Sequence, residues 1–154
     1  MKNWRHVCIF VSSTFKDMDT ERDALRNLVE PKLNHYLEKY MISVEFIDLR
    51  HCVKTDKRFT ETEREKQICS VCLEEIDKCF PYFIGLLGHR YGWIPPKGVI
   101  ENDSINMLPV EESELSVTLH EFNRGLLSKS SDARGCIFVR KGSSYRNLNI
   151  NDLE

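Results

Sequence analysis

Apolar positions along this chain come in two rhythms. Four short segments are apolar almost throughout: His6 to Ser12, Ile42 to Leu49, Tyr82 to Leu87 and Cys136 to Arg140. Their length and their β-branched and aromatic content are those of strands buried on both faces. Between them, apolar residues recur at three- and four-residue steps, the spacing of one helix face turned to a sheet. After the first strand the stripe is Leu25, Leu28, Val29, Leu33, Tyr36, Leu37 and Tyr40. From about Glu63 to Lys78 it is Ile68, Val71, Cys72, Ile76 and Cys79, and from about Glu112 to Leu127 it is Leu115, Leu119, Phe122 and Leu126. Pro31 falls inside the first stripe, so that helix should bend or break there.

The order strand, helix, strand, helix, strand, loop, helix, strand predicts an α/β fold. The expected form is a flavodoxin-like open parallel sheet with helices on both faces. Two polar stretches without periodicity, about His51 to Thr62 and about Pro95 to Val110, read as loops. After Arg140 a fifth strand and closing helix would be expected, but the remaining residues are polar and end at Glu154. Residues 1–154 therefore read as a single domain, the N-terminal piece of a longer polypeptide.

Composition narrows the function classes. Lys and Arg number 22 against 24 Asp and Glu, a formal net charge of -2. That balance gives no support to nucleic-acid binding, which needs clustered excess cation. No apolar run approaches the roughly 20 residues that span a bilayer, and no secretory signal opens the chain, so a cytoplasmic protein without membrane contact is expected. Six cysteines lie mostly inside apolar segments, as reduced thiols used as small hydrophobes. Cys69-x-x-Cys72 with Cys79 invites a zinc reading. All three lie on one helix with no second ligand pair, however, so core packing is favoured and no metal site is assigned. No GxxxxGK[ST] phosphate loop and no Ser-His-Asp order is present.

Candidate chemistry gathers at the C-terminal ends of the strands, where open α/β sheets bind ligands. Ser12, Ser13 and Thr14 close the first strand, and the helix beginning just beyond would turn its N-terminus to the same spot. Their hydroxyls could hold a phosphate or ribose with Phe15 stacking on a base, or could cap and turn the chain. Thr14 or Asp17 is the expected cap. Asp48 and Arg50 end the second strand, suited to a ribose and a diphosphate respectively, or to a salt bridge bracing the loop. Arg50 could instead pair with Glu21 or Asp23. Arg90, Tyr91 and Trp93 follow the third strand, and they could meet phosphate and stack on nicotinamide or adenine, or pack the sheet end.

Three blocks, FVSSTFKDMDTERDAL, FIDLR and CLEEIDKCFPYFIGLLGHRYGW, resemble a TIR-like family of unknown function. That family stands N-terminal in NACHT and WD-repeat signalling ATPases of the telomerase-associated, nephrocystin-type and bacterial antiphage kinds. The family usually has Trp-Gly after Asp-Leu-Arg, where this chain has His51-Cys52. The resemblance implies a signalling or effector domain with a downstream ATPase module in the same chain, self-association in an activated oligomer, and a defence role. The wider TIR group includes enzymes that cleave the nicotinamide–ribose bond of NAD, as well as members that only self-associate. By that resemblance Glu121, in Ser116-Val117-Thr118-Leu119-His120-Glu121, would be the essential glutamate that stabilises a ribosyl cation. NAD or a related nucleotide would be substrate, with no permanently bound cofactor. A non-catalytic adaptor and a nucleoside deoxyribosyltransferase-like enzyme are the alternatives.

Overall fold

A computed structural model describes residues 3–14, 17–49, 60–96, 115–128 and 131–141, apart from the side chains at 61, 62 and 64–66. Four parallel strands, β1 (Arg5–Ser12), β2 (Ile42–Ile47), β3 (Tyr82–Leu87) and β4 (Arg134–Val139), form one sheet in the order β2-β1-β3-β4. This is the predicted open α/β architecture, with Ser12 at the end of β1 in register with Gly85 of the neighbouring central strand β3.

Each face of the sheet has its own core, because successive side chains of a strand point to opposite faces. Val11, Val44, Phe46 and Leu86 pack with Met18, Leu25, Leu33 and Leu37 beneath α1 (Asp19–Ala24) and α2 (Glu30–Leu37). On the opposite face Phe10 and Phe83 pack with Leu49, with Cys72, Ile76 and Cys79 of α3 (Glu61–Cys79), and with Phe122 of α4 (Val117–Phe122). Phe83 stacks on Phe10 at 5.9 Å between centroids and meets Phe122 edge-on at 5.3 Å.

The break expected at Pro31 is a π turn over Leu25–Val29, after which Pro31 sits in the first turn of α2. Proline offers no N–H to the preceding turn, and the wider winding just before it accommodates the missing bond. Thr60 and Glu63 form a reciprocal capping box that starts α3. The cap expected from Thr14 or Asp17 is not made: Met18 precedes α1 without a side-chain cap bond. Asp17 has other partners, described below.

Cysteines 69, 72 and 79 are buried, as small hydrophobes should be. Cys136 departs from that expectation and is exposed, since β4 is an edge strand among the described residues and all its residues are exposed. Phe138 and Val139 border an open apolar cleft against Met18, Ala24, Leu25 and Val29. The expected fifth strand and closing helix fall after Lys141 and lie outside the described residues.

Gly85 sets how closely α4 approaches the sheet. A Cβ there would lie 2.3 Å from Phe122 Cζ, so only a bare backbone admits the ring. Gly85→Ala should cost about 1–3 kcal/mol, the usual range for overpacking, read from the urea midpoint at unchanged m-value. An unaltered midpoint would show that Phe122 moves aside freely.

Candidate functional site

The N-terminus of α4 is capped by Ser116, whose hydroxyl accepts from Leu119 N–H at 3.3 Å. The Val117 N–H donates to the carbonyl of Trp93 at 2.9 Å, which ties the helix start to the loop after β3. One turn on, Glu121 points into the protein and is 5% exposed. It accepts a 2.5 Å hydrogen bond from Ser12 Oγ at the end of β1. The Cys72 thiol of α3 donates to the same carboxylate.

Ser13, the next residue, belongs to a second buried group organised by Arg22. The Arg22 guanidinium donates from Nε to Ser13 Oγ at 2.5 Å and from Nη2 to the Ser13 carbonyl at 2.6 Å. Its Nη1 pairs with Asp48, just past the end of β2. Arg22 and Asp48 are both buried. Two strand ends and α1 are thus locked together by one guanidinium, whose fork geometry suits several acceptors at once.

Burial raises the Glu121 carboxyl from its ordinary 4.5 to about 7, against the opposing pull of the Ser12 hydroxyl, Arg22 and the Cys72 thiol. Desolvation of a lone carboxylate outweighs two donors and a nearby cation. Cys72 is held far above its ordinary value, first by burial and then by the Glu121 charge, so it remains a thiol.

Thr14 lies beside this group with its Oγ1 buried and without a hydrogen-bond partner among the described residues. The loop after β3 closes over it. At Gly92, with φ +100°, a Cβ would lie 3.2 Å from Thr14 Cγ2 and 3.0 Å from Thr118 Oγ1. Positive φ and the close approach both call for glycine there. On either side of Gly92, Tyr91 is 55% exposed and Trp93 43% exposed. Each of these aromatics is thus covered over about half its surface and open over the rest. Arg90 is exposed too, and its backbone N–H joins that of His89 in donating to Asp17.

Asp17 is the hub of a third cluster. It pairs with Arg140 at 2.9 Å, and Arg140 also pairs with Glu21, tying the end of β4 to α1. Gly88 permits this, because any Cβ would collide with the Asp17 carboxylate. The helix start expected to attract an anion is instead supplied with acidic side chains of its own chain. Glu21, offered as a partner for Arg50, is taken by Arg140.

Of the residues singled out from the sequence, Ser12, Ser13, Thr14, Asp48 and Glu121 converge at one edge, with Arg90, Tyr91 and Trp93 in the loop beside it. Phe15 and Arg50, together with His51-Cys52, lie outside the described residues. Sequence reasoning missed Arg22. The signal was present: Arg22 stands in line with Met18, Leu25 and Val29 at helical steps, a cation in an apolar stripe.

Residues 8–149 match the family described as Domain of unknown function (DUF4062). The chain belongs to this family. Its relatives include Telomerase protein component 1 of Mus musculus, 43% identical over 142 residues, which cover 89% of this chain and 5% of that protein. The protein of the same name from Rattus norvegicus is 37% identical over 134 residues, covering 84% of this chain and 5% of that one. NACHT and WD repeat domain-containing protein 2 of Homo sapiens is 34% identical over 108 residues, 68% of this chain and 6% of its own length. The chain thus spans a small fraction of the relatives it matches, and this DUF4062 domain is related to part of a NACHT and WD-repeat protein. No solved structure matches the chain. Among the described residues no helix is long and apolar enough to cross a membrane.

Proposed function

We propose that this domain is a TIR-like effector of a NACHT-type signalling ATPase, hydrolysing the nicotinamide–ribose bond of NAD when the ATPase module brings copies together. The observation that carries the proposal is Glu121: a buried carboxyl at the end of a central strand, beside a hydroxyl triplet, titrating at about 7. A carboxylate in such a place stabilises positive charge that develops next to it. As the C1′–N bond breaks, its electron pair leaves with neutral nicotinamide, and ionised Glu121 faces the ribosyl cation. Water then attacks C1′ and gives up its proton. Thr14 Oγ1, with no partner among the described residues, has unused capacity for a ribose or phosphate oxygen. Tyr91 and Trp93 offer exposed aromatic faces for a base. A cytoplasmic role in antiviral or innate-immune signalling fits this reading.

A second reading, a non-catalytic self-association module, draws on the same burial. At 5% exposure Glu121 is sealed, so a substrate reaches it only if the groups packed around it part. Nicotinamide release from NAD, followed with the full-length protein in its activated, oligomeric form, separates the two. Release is expected from the oligomer and not from dispersed chains. An active oligomer, verified by its ATP turnover, that leaves NAD intact overturns the enzymatic reading in favour of the adaptor. Base exchange between a deoxynucleoside and free adenine would point instead to a deoxyribosyltransferase.

A further inference from the structure

At the opposite end of the strands from Glu121, three potential metal ligands meet on the α3 face of the sheet. His6 and Cys8 alternate along β1 and so point the same way, and Cys8 stands in register with Glu45 of β2. His6 Nε2 lies 3.2 Å from Glu45 Oε2, and a His6 ring nitrogen, Cys8 Sγ and a Glu45 oxygen all lie within 4.8 Å of one another. His6 Nδ1 lies 3.0 Å from Ser43 Oγ.

We propose that His6, Cys8 and Glu45 form a zinc site with three protein ligands and a fourth position for water. Bonds of 2.0–2.1 Å to nitrogen and oxygen in a tetrahedron put those two atoms about 3.3 Å apart. The imidazole and carboxylate already have that spacing, and a shift of about 1 Å brings the sulfur to its own tetrahedral distance. Nitrogen, sulfur and oxygen donors in tetrahedral array suit zinc rather than the hard cations, which take oxygen alone.

Ser43 supplies the outer support such sites use. With Nδ1–H donating to its hydroxyl, Nε2 presents a lone pair to the ion. Zinc takes the thiolate, so binding releases the Cys8 proton to solvent. A metal-free arrangement satisfies the same atoms with the roles reversed, Nε2–H donating to Glu45 and Ser43 donating to Nδ1. The two states therefore differ in the histidine tautomer. The site would pin the N-terminal end of β1 to β2, and it is independent of the role given to Glu121.

The test is titration of the 154-residue chain, reduced with a non-thiol reductant, with cobalt(II) and then competing zinc. One equivalent of cobalt should bind with the intense visible bands of tetrahedral coordination and a thiolate charge-transfer band. Cys8→Ser should abolish the charge-transfer band. His6→Ala, an exposed position whose loss spares the core, should weaken binding by at least about tenfold, and Ser43→Ala by a similar factor. Zinc should switch the His6 tautomer from Nε2–H to Nδ1–H in nitrogen NMR. Failure to bind one equivalent would overturn the site, as would binding that survives both His6→Ala and Cys8→Ser, which would assign the metal to other groups.

Discussion

Arg22→Ala should destabilise the domain by about 3–5 kcal/mol, the range for breaking a buried ion pair by removing one partner. Asp48 would be left as a buried carboxylate without its guanidinium, and the Ser13 carbonyl and hydroxyl would lose their donors. Guanidine or urea unfolding at pH 7 measures the loss. The paired change Arg22→Met with Asp48→Leu should recover much of it, because two apolar side chains remove the unmatched charge altogether. A single variant within about 1 kcal/mol of the parent, as for exposed pairs, would show that Asp48 is satisfied without Arg22. Arg22 also draws the Glu121 carboxyl downward, so its removal should move that titration above about 7.

Glu121→Gln should lower nicotinamide release by the activated protein about 10²–10³-fold, as loss of a group aimed at developing charge does elsewhere. The same substitution should alter the pH dependence of stability in a defined direction. Glutamate at this position titrates at about 7 in the folded protein against an ordinary 4.5. Between those two values the folded state retains a proton that the unfolded chain has lost, so this group's contribution to stability falls as pH rises. A shift of that size corresponds to about 3 kcal/mol by pH 8. Glutamine carries no such penalty. Glu121→Gln should therefore gain on the parent by about 3 kcal/mol between pH 4 and pH 8, with the other titrating groups cancelling in the comparison. A difference independent of pH would place Glu121 in contact with water, and unimpaired turnover in the variant would remove it from the chemistry. Both outcomes read the same trait: a carboxyl kept at a cost to stability, as functional sites often are.

Local pattern was enough to write down most of the framework. Strand spacing and helical stripes placed all four strands and the helices between them, and Pro31 announced the distortion found at Leu25–Val29. Ser12, Ser13, Thr14 and Asp48 were legible because strand ends in an open sheet must face one edge, whatever their side chains do there. Glu121 was legible by resemblance, since nothing in its own helical context marks it as buried.

Partner choice was not legible, because it depends on distances across the fold. That Asp48 meets Arg22, and that Asp17 receives Arg140 instead of capping α1, is decided by how deeply α1 and α4 settle on the sheet. Gly85 and Gly88 set part of that depth by leaving room for Phe122 and for the Asp17 carboxylate. The acidity of Glu121 has the same origin. Side-chain type supplies a carboxyl near 4.5, and only closure of three elements around it, excluding water, moves it to about 7.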